Sequence, residues 1–287
     1  MKMLVPTALA AALVALNVYA STKEEVKTMP TNIEKVISLL KSIETGEQGP
    51  VAYINPEKYI QHNLAVGEGL AGFGEVLQAL PKGSARVNTV RAFQDGDYVV
   101  THTDYNFFGP KVGFDIFRFE DGKIVEHWDN LAEKTDPNPS GRTQLDGPTQ
   151  ITDLKKTDFN KALVADFVRT ILMNGEMDKL GEYIGPNDED YHQHNSHIAD
   201  GLSGLGAALE AMGKQGLTMK YTESHKILGQ GNFVLAVSEG EFAGQHVSFY
   251  DLFRVDNAKI VEHWDVIEPI PAKEEWKNAN GKFSFKD

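Results

Sequence analysis

Apolar residues recur at helical spacing in several stretches and alternate with polar ones in the rest. Ile33, Val36, Ile37 and Leu40 mark one face of a helix over 31–44, and Phe159, Leu163, Phe167 and Ile171 mark another over 159–173. Leu70, Phe73, Val76, Leu77 and Leu80 predict a helix over 69–80. A matching helix over 200–213 has Asp200 as its expected N-cap. Alternating stretches predict strands over 85–94, 97–107, 111–119 and 123–131, then over 217–229, 232–242, 246–255 and 258–267. Gly96 between Asp95 and Asp97, and Asp121-Gly122, are hairpin signals. Helices followed by an antiparallel meander predict an α+β arrangement, helices lying on one face of a curled four-stranded sheet.

That order occurs twice. Tyr59-Ile60-Gln61-His62-Asn63 returns as Tyr191-His192-Gln193-His194-Asn195, and Gly69-Leu70-Ala71-Gly72-Phe73-Gly74 returns as Gly201-Leu202-Ser203-Gly204-Leu205-Gly206. Asp115-Ile116-Phe117-Arg118 returns as Asp251-Leu252-Phe253-Arg254, and Lys123-Ile124-Val125-Glu126-His127-Trp128-Asp129 as Lys259-Ile260-Val261-Glu262-His263-Trp264-Asp265. Tyr59 and Tyr191 lie 132 residues apart and Lys123 and Lys259 lie 136 apart, a period far beyond solenoid repeats. This is a duplicated domain. The first copy is assigned to 21–135 and the second to 158–287. They are joined across 136–157, where Asp136-Pro137-Asn138-Pro139-Ser140-Gly141 punctuates the chain.

The repeated elements and the closing D-I-F-R-F-E-D-G-K-I-V-E-H-W-D resemble SnoaL-like domains of the nuclear transport factor 2-like superfamily, over essentially all of both copies. The resemblance implies two tandem cone-shaped α+β barrel domains. It also implies a cavity for a small-molecule ligand and, among the family's activities, cofactor-independent aldol cyclisation of polyketides or ketosteroid-type isomerisation. Non-catalytic ligand binding is the alternative. The fold hosts many activities, so function has to be argued from the site. The family often forms two-fold dimers, which implies an intramolecular pseudo-dimer of the two copies.

Composition narrows the classes. A formal charge of −13 disfavours nucleic acid and anionic membranes as partners. The chain has no cysteine, which removes disulfides and thiolate chemistry. There is no P-loop, no dinucleotide glycine turn and no H-E-x-x-H, so no cofactor is expected. The glycines at 69, 72 and 74 sit on a packing helix rather than in a phosphate cradle. Lys2, the apolar run Leu4 to Val18 and Val18-Tyr19-Ala20 read as a secretory signal over 1–20, predicting a periplasmic or secreted protein that leaves the membrane after cleavage.

The last hairpin decides which side chains share a face. A two-residue turn would need φ > 0 at both central positions, and copy two has Ala258 there. A three-residue loop, Glu120-Asp121-Gly122, is therefore expected, pairing Phe119 with Lys123 and setting Asp115 opposite His127. One face then carries Asp115, Phe117, Val125, His127 and Asp129. The other carries Ile116, Arg118, Glu126 and Trp128, with an Arg118–Glu126 pair and the tryptophans suited to an interface between sheets.

Two carboxylates and an imidazole beside apolar groups suit acid–base chemistry, so Asp115, His127, Asp129, Asp251, His263 and Asp265 are candidate catalytic residues. Structural carboxylates bonding a neighbouring element would look the same. Asp115 and Asp251 also match, by resemblance, the oxyanion-hole acid of ketosteroid isomerases. By resemblance again, His62 and His194 are proton shuttles or substrate donors at the cavity mouth, beside Asn63 and Asn195 as ligand-binding residues. Capping within the helix-to-sheet junction is the competing role for both histidines. Asp104 and Glu239, acidic in both copies, are weaker candidates for the same cavity. His192, His194 and His197 could bind zinc or copper, but their spacing lacks a carboxylate, and no metal is assigned.

Overall fold

The structure is a computed structural model and describes residues 29–285. The expected secretory signal over 1–20 lies outside the described residues. Thr31 and Glu34 cap the first helix reciprocally, the Thr31 hydroxyl accepting from the Glu34 amide at 3.2 Å. Helix α1 (Asn32–Thr45) buries Val36, Leu39 and Leu40 and ends at Gly46 with φ of 76°. After β1 (Ile60–Gln61) and α2 (Gly69–Ala79) come β2 (Arg86–Asp95), β3 (Tyr98–Asn106), β4 (Pro110–Glu120) and β5 (Lys123–Glu133).

The second half repeats the plan. Helix α3 (Thr157–Phe167) runs on into a π-helical turn (Val168–Met173) and is followed by the short α4 (Leu180–Tyr183). Then come β6 (His192–Gln193), α5 (Gly201–Lys214), β7 (Met219–Gln230), β8 (Phe233–Phe242), β9 (Gln245–Asp256) and β10 (Lys259–Pro269). Asp200 occupies the N-cap position of α5, but its carboxylate accepts from Arg142 and from the Gln193 amide instead of capping the helix. A Cβ on Gly72 or Gly204 would lie 1.9 or 2.2 Å from a main-chain oxygen of the preceding loop, so these repeated glycines serve close packing.

The four-stranded meander is present in both halves, within larger sheets. Each sheet has five strands, in the orders β1-β5-β4-β3-β2 and β6-β10-β9-β8-β7. The added strand is parallel: Gln61 pairs with His127, and Gln193 with His263. Two residues are too few to show a period, which is why alternation did not reveal it. Among the described residues the edge strands of each sheet do not pair with one another, so the cones are open sheets rather than closed barrels.

The hairpin expectation is corrected. The turns are two-residue, with φ of 48° and 74° at Asp121 and Gly122 and of 48° and 60° at Asn257 and Ala258. Glu120 pairs with Lys123, and a bulge follows at Val125, so Asp115 lies opposite Asp129 and His127 opposite Phe117. The register differs from expectation by two residues. Alternation has a period of two, so the face assignments of Asp115, His127 and Asp129 are unchanged. Val125 is the extra residue.

The faces bearing the tryptophans meet across the molecule. Phe114, Ile116 and Trp128 of one sheet share a buried core with Phe233, Leu252 and Trp264 of the other. Asn130 Nδ2, on β5, donates to the main-chain oxygens of Ser248 and Val266, both at 3.0 Å. The connecting stretch 136–157 is itself packed: Asn138 Nδ2 donates to the Gln193 and Ile198 oxygens at 2.6 and 2.9 Å. The chain's last described segment does the same to the first half, Asn278 donating to the Asn63 and Val66 oxygens at 2.8 and 3.0 Å. Each half thus carries a strap, led by Asn138 or Asn278, that docks on the other half.

Candidate functional site

The inner face of each sheet gathers a carboxylate–imidazole–carboxylate group. In the first half His127 Nε2 donates to Asp115 Oδ1 at 3.2 Å, and His127 Nδ1 faces Gln61 Oε1 at 3.1 Å. Asp115 Oδ2 also accepts from Tyr105 Oη at 2.6 Å and Thr101 Oγ1 at 3.2 Å. Asn63 Nδ2 donates to Asp129 Oδ2 at 2.8 Å. Asp129 Oδ1 is buried and accepts no hydrogen bond from the protein. Phe117 stacks on the His127 ring at 4.5 Å. Asp115, Asp129 and His127 are all buried, and the His127 side chain keeps 11% of its surface.

In the second half His263 Nε2 donates to Asp251 Oδ1 at 2.9 Å, and Asn195 Nδ2 to Asp265 Oδ2 at 2.7 Å. Gln193 Nε2 lies 3.1 Å from His263 Nδ1, and Phe253 stacks on the ring at 4.7 Å. Asp265 is more open than its counterpart Asp129. Burial alone would lower the His263 pKa, but the hydrogen bond and charge of Asp251, with Asp265 behind, raise it above the ordinary imidazole value. Burial raises the Asp265 carboxyl, and the Asp251 charge adds to that although His263 opposes it.

The expected set Asp115, His127, Asp129, Asp251, His263 and Asp265 is therefore brought together, with Asn63 and Asn195 as its supports. Sequence reasoning missed Gln61 and Gln193, which orient the imidazoles. Their signal was present: if the Tyr-x-Gln-His-Asn segment is extended, Gln61 and Asn63 share a face and His62 takes the opposite one. Tyr105 and Tyr221 were also missed. Tyr221 Oη donates to both Asp251 oxygens, at 3.3 and 3.2 Å, yet it comes from β7 where Tyr105 comes from β3. The two copies do not match at those positions, so comparing them could not find either tyrosine. Burial and the neighbouring aspartate hold both phenols protonated.

His62 and His194 do not reach this group, and their expected shuttle role is corrected. They point to the opposite face of β5 and β10. His62 Nε2 bonds Glu126 Oε1 at 2.9 Å, His62 Nδ1 donates to the Gly281 oxygen at 2.7 Å, and the ring stacks on Trp128 at 4.6 Å. His194 repeats this with Glu262, the Thr143 oxygen and Trp264. Both histidines lie at the interface and are held by the straps. Arg118 Nε donates to Glu126 Oε2 at 2.6 Å in a pair that is buried, not exposed. Burial would raise Glu126 and Glu262, but His62 with Arg118, and His194 with Arg254, hold them below the usual carboxylate range.

Asp104 and Glu239 are likewise corrected. Tyr105 points inward from β3, so Asp104 points outward, where Lys134 Nζ donates to it at 2.9 Å. Glu239 faces His225 and His246. His192, His194 and His197 do not converge: His194 is buried against Glu262 while His197 is exposed, and none belongs to a metal-compatible group among the described residues. Asp115, His127 and Asp129, and equally Asp251, His263 and Asp265, each present ligand atoms within 4.8 Å.

Two open clefts lie elsewhere. One of about 390 Å³ is lined by Lys41, Asp104 and Lys134, and one of about 520 Å³ by Asp95, Tyr98 and His225. No helix of the described residues is long and apolar enough to cross a membrane.

No protein-family model matches the chain, and no curated protein matches it in sequence. Solved structures do. An NTF2-like protein of unknown function from Cytophaga hutchinsonii is 15% identical with a TM-score of 0.32, over 37% of this chain and 94% of that one. A protein of unknown function with a cystatin-like fold from Xanthomonas campestris is 24% identical with a TM-score of 0.31, over 36% and 92%. A SnoaL-like polyketide cyclase from Agrobacterium tumefaciens is 14% identical with a TM-score of 0.30, over 38% and 91%. Each match spans about the length of one half. The fold assignment rests on the strand order and register described above.

Proposed function

We propose that each half is a cofactor-independent acid–base centre for a small, largely apolar carbonyl compound. Asp129 or Asp265 takes a proton from the carbon next to the carbonyl. The C–H electron pair moves toward the carbonyl oxygen, which takes the place of Gln61 Oε1 as the acceptor at His127 Nδ1; in the second half Gln193 Nε2 moves aside and the protonated His263 donates from Nδ1. The enolate then either recovers the proton at another carbon, an isomerisation, or attacks a second carbonyl, an aldol closure. The observation that carries this reading is the unpaired, buried oxygen of Asp129 beside an imidazole already oriented by Asp115 and Gln61. A carboxylate oxygen with no other partner is open to take a proton from a substrate carbon held against it.

The straps and the shared tryptophan core support a pseudo-dimer within one chain. The expected leader supports a periplasmic or secreted location. The test is deuterium exchange α to the carbonyl, followed for aromatic and polyketide-like ketones. Wild-type protein exchanges the label, and each of Asp129→Asn and Asp265→Asn removes one half's share. Exchange that persists in the double variant rejects the proposal.

A second reading is a non-catalytic ligand holder. It is favoured by the engagement of both ring nitrogens of His127 with protein groups. Saturable binding without exchange is its signature.

A further inference from the structure

The second half carries a polar cluster that the first half lacks and that the acid–base reading does not use. Glu223 and His225 on β7, Glu239 on β8 and His246 on β9 converge at the outer edge of the sheet. His225 Nε2 lies 2.8 Å from Glu239 Oε2, and His246 Nε2 lies 2.7 Å from Glu239 Oε1. His225 Nδ1 lies 3.9 Å from Glu223 Oε1. Glu223, His225 and Glu239 each offer a ligand atom within 4.8 Å of the others.

Strand pairing gives a second reason to look here. Glu223 sits directly opposite Glu239, and like charges at directly opposed positions disfavour a sheet unless a cation lies between them. The strand is shaped for this arrangement: β7 has register breaks on either side of the Glu223–Ser224 pair, and the second makes His225 an extra residue, freed from the alternation that governs its neighbours. Phe283 stacks on the His225 ring at 4.2 Å and fixes its plane.

The same register in the first half reads differently. Asn88 stands opposite Asp104 where Glu223 stands opposite Glu239, and Pro110 opposite Asn106 where His246 stands opposite Glu241. Asp104 there is answered by Lys134. The scaffold is duplicated and the donor set is not.

We propose that His225, His246 and Glu239 form a binding site for a divalent zinc-class cation, with Glu223 supporting His225 from its Nδ1 side. Bonds of roughly 2.0–2.2 Å bring neighbouring ligand atoms to about 3 Å of one another, close to the two nitrogen–oxygen separations around Glu239. Two imidazoles and a carboxylate suit zinc, with cobalt or nickel as substitutes, over magnesium or calcium. A carboxylate behind the far ring nitrogen is the usual way a metal-binding histidine is oriented. Access is open: His225 lines the cleft of about 520 Å³, and the His246 side chain is 51% exposed. The cation would tie three adjacent strands together and, through Phe283, the strap that crosses back to the first half.

The experiment uses the full chain, stripped with chelator and titrated with Zn²⁺ by calorimetry, with bound metal counted by elemental analysis. One zinc per chain is expected, together with a rise in melting temperature. In His225→Phe/His246→Gln, which keeps the ring stack on Phe283, affinity falls by about 100-fold or more and added zinc no longer raises the melting temperature. In Asp129→Asn/Asp265→Asn the zinc is retained, which separates this site from the inner carboxylate–imidazole groups and from the proposed catalysis. Failure to take up zinc, or uptake indifferent to loss of His225 and His246, overturns the proposal.

Discussion

Asn278 Nδ2 donates to the main-chain oxygen of Asn63 at 2.8 Å across a sequence separation of 215 residues. The contact belongs to a small docking motif. Asn280 Nδ2 donates to the Gln61 oxygen and the Lys277 amide to the Leu64 oxygen, so the strap fixes the segment whose side chains hold His127 and Asp129. The support of each site therefore comes from the other half of the chain. Asn278→Ala leaves two half-buried carbonyls without these donors and should cost about 1 kcal/mol. It should also slow α-proton exchange in the first half by about 10-fold, since small displacements of catalytic groups are expensive. In an Asp265→Asn background, where only the first half works, Asn278→Ala should show the full loss. In an Asp129→Asn background it should show none. Equal losses in both backgrounds would remove the crossed arrangement.

Glu126 is the centre of a buried ionic group rather than an exposed pair. It takes Arg118 on one oxygen and His62 on the other, and all three residues are buried. Replacing it with alanine leaves the buried His62 without its carboxylate and Arg118 with only the partly exposed Glu120, the kind of loss that costs about 3–5 kcal/mol. Glu126→Ala should lower the urea midpoint far more than Glu120→Ala, whose ion pairs are partly exposed. Comparable midpoints for the two variants would place the charge of Glu126 in water.

Much of this was legible beforehand, and the limits have physical causes. Period-two alternation placed Asp115, His127 and Asp129 on one face and Trp128 on the other, and the faces survived a wrong register because the error was two residues. The turn was misjudged because local φ preference argued against Ala258, while the bulge that reconciles a two-residue turn with the register leaves no mark in the sequence. His62 was expected inward on the strength of the resemblance, whereas alternation along the extended Gln61-His62-Asn63 segment turns it to the opposite face. The straps went unread although they repeat: Asn138-Pro139-Ser140-Gly141-Arg142 matches Asn278-Ala279-Asn280-Gly281-Lys282, and Gly141 and Gly281 share φ of 78° and 76°. A tail that docks on the other half looks like a linker when composition alone is read.

The raised pKa of His263 gives a stability signature with a defined sign. Its folded value lies above the unfolded one near 6.5, because the Asp251 hydrogen bond and charge outweigh burial. The charged imidazole therefore adds stability that is complete below about pH 6.5 and is lost as pH rises through the folded value. The melting temperature of wild-type protein should exceed that of His263→Gln by most at pH 5–6, and the gap should narrow on the alkaline side. A gap that widens with pH would mean that His263 is held neutral.

Ala258 offers the last test, at the turn that joins β9 to β10. It holds φ of 60° in a position where Gly122 serves the first half at 74°. Left-handed backbone costs a Cβ-bearing residue about 1 kcal/mol, whereas glycine adopts it freely. Glycine loses more entropy on folding, which offsets part of the gain. Ala258→Gly should therefore stabilise the protein by about 0.5–1 kcal/mol, and Gly122→Ala should destabilise it by a similar amount. Both follow from denaturant midpoints at constant slope. The turn sits at the far end of the hairpin from His263 and Asp265, so the first substitution should leave α-proton exchange unchanged. If Ala258→Gly were destabilising, the two-residue turn would be the wrong description of this hairpin, and with it the bulge that sets Asp251 opposite Asp265.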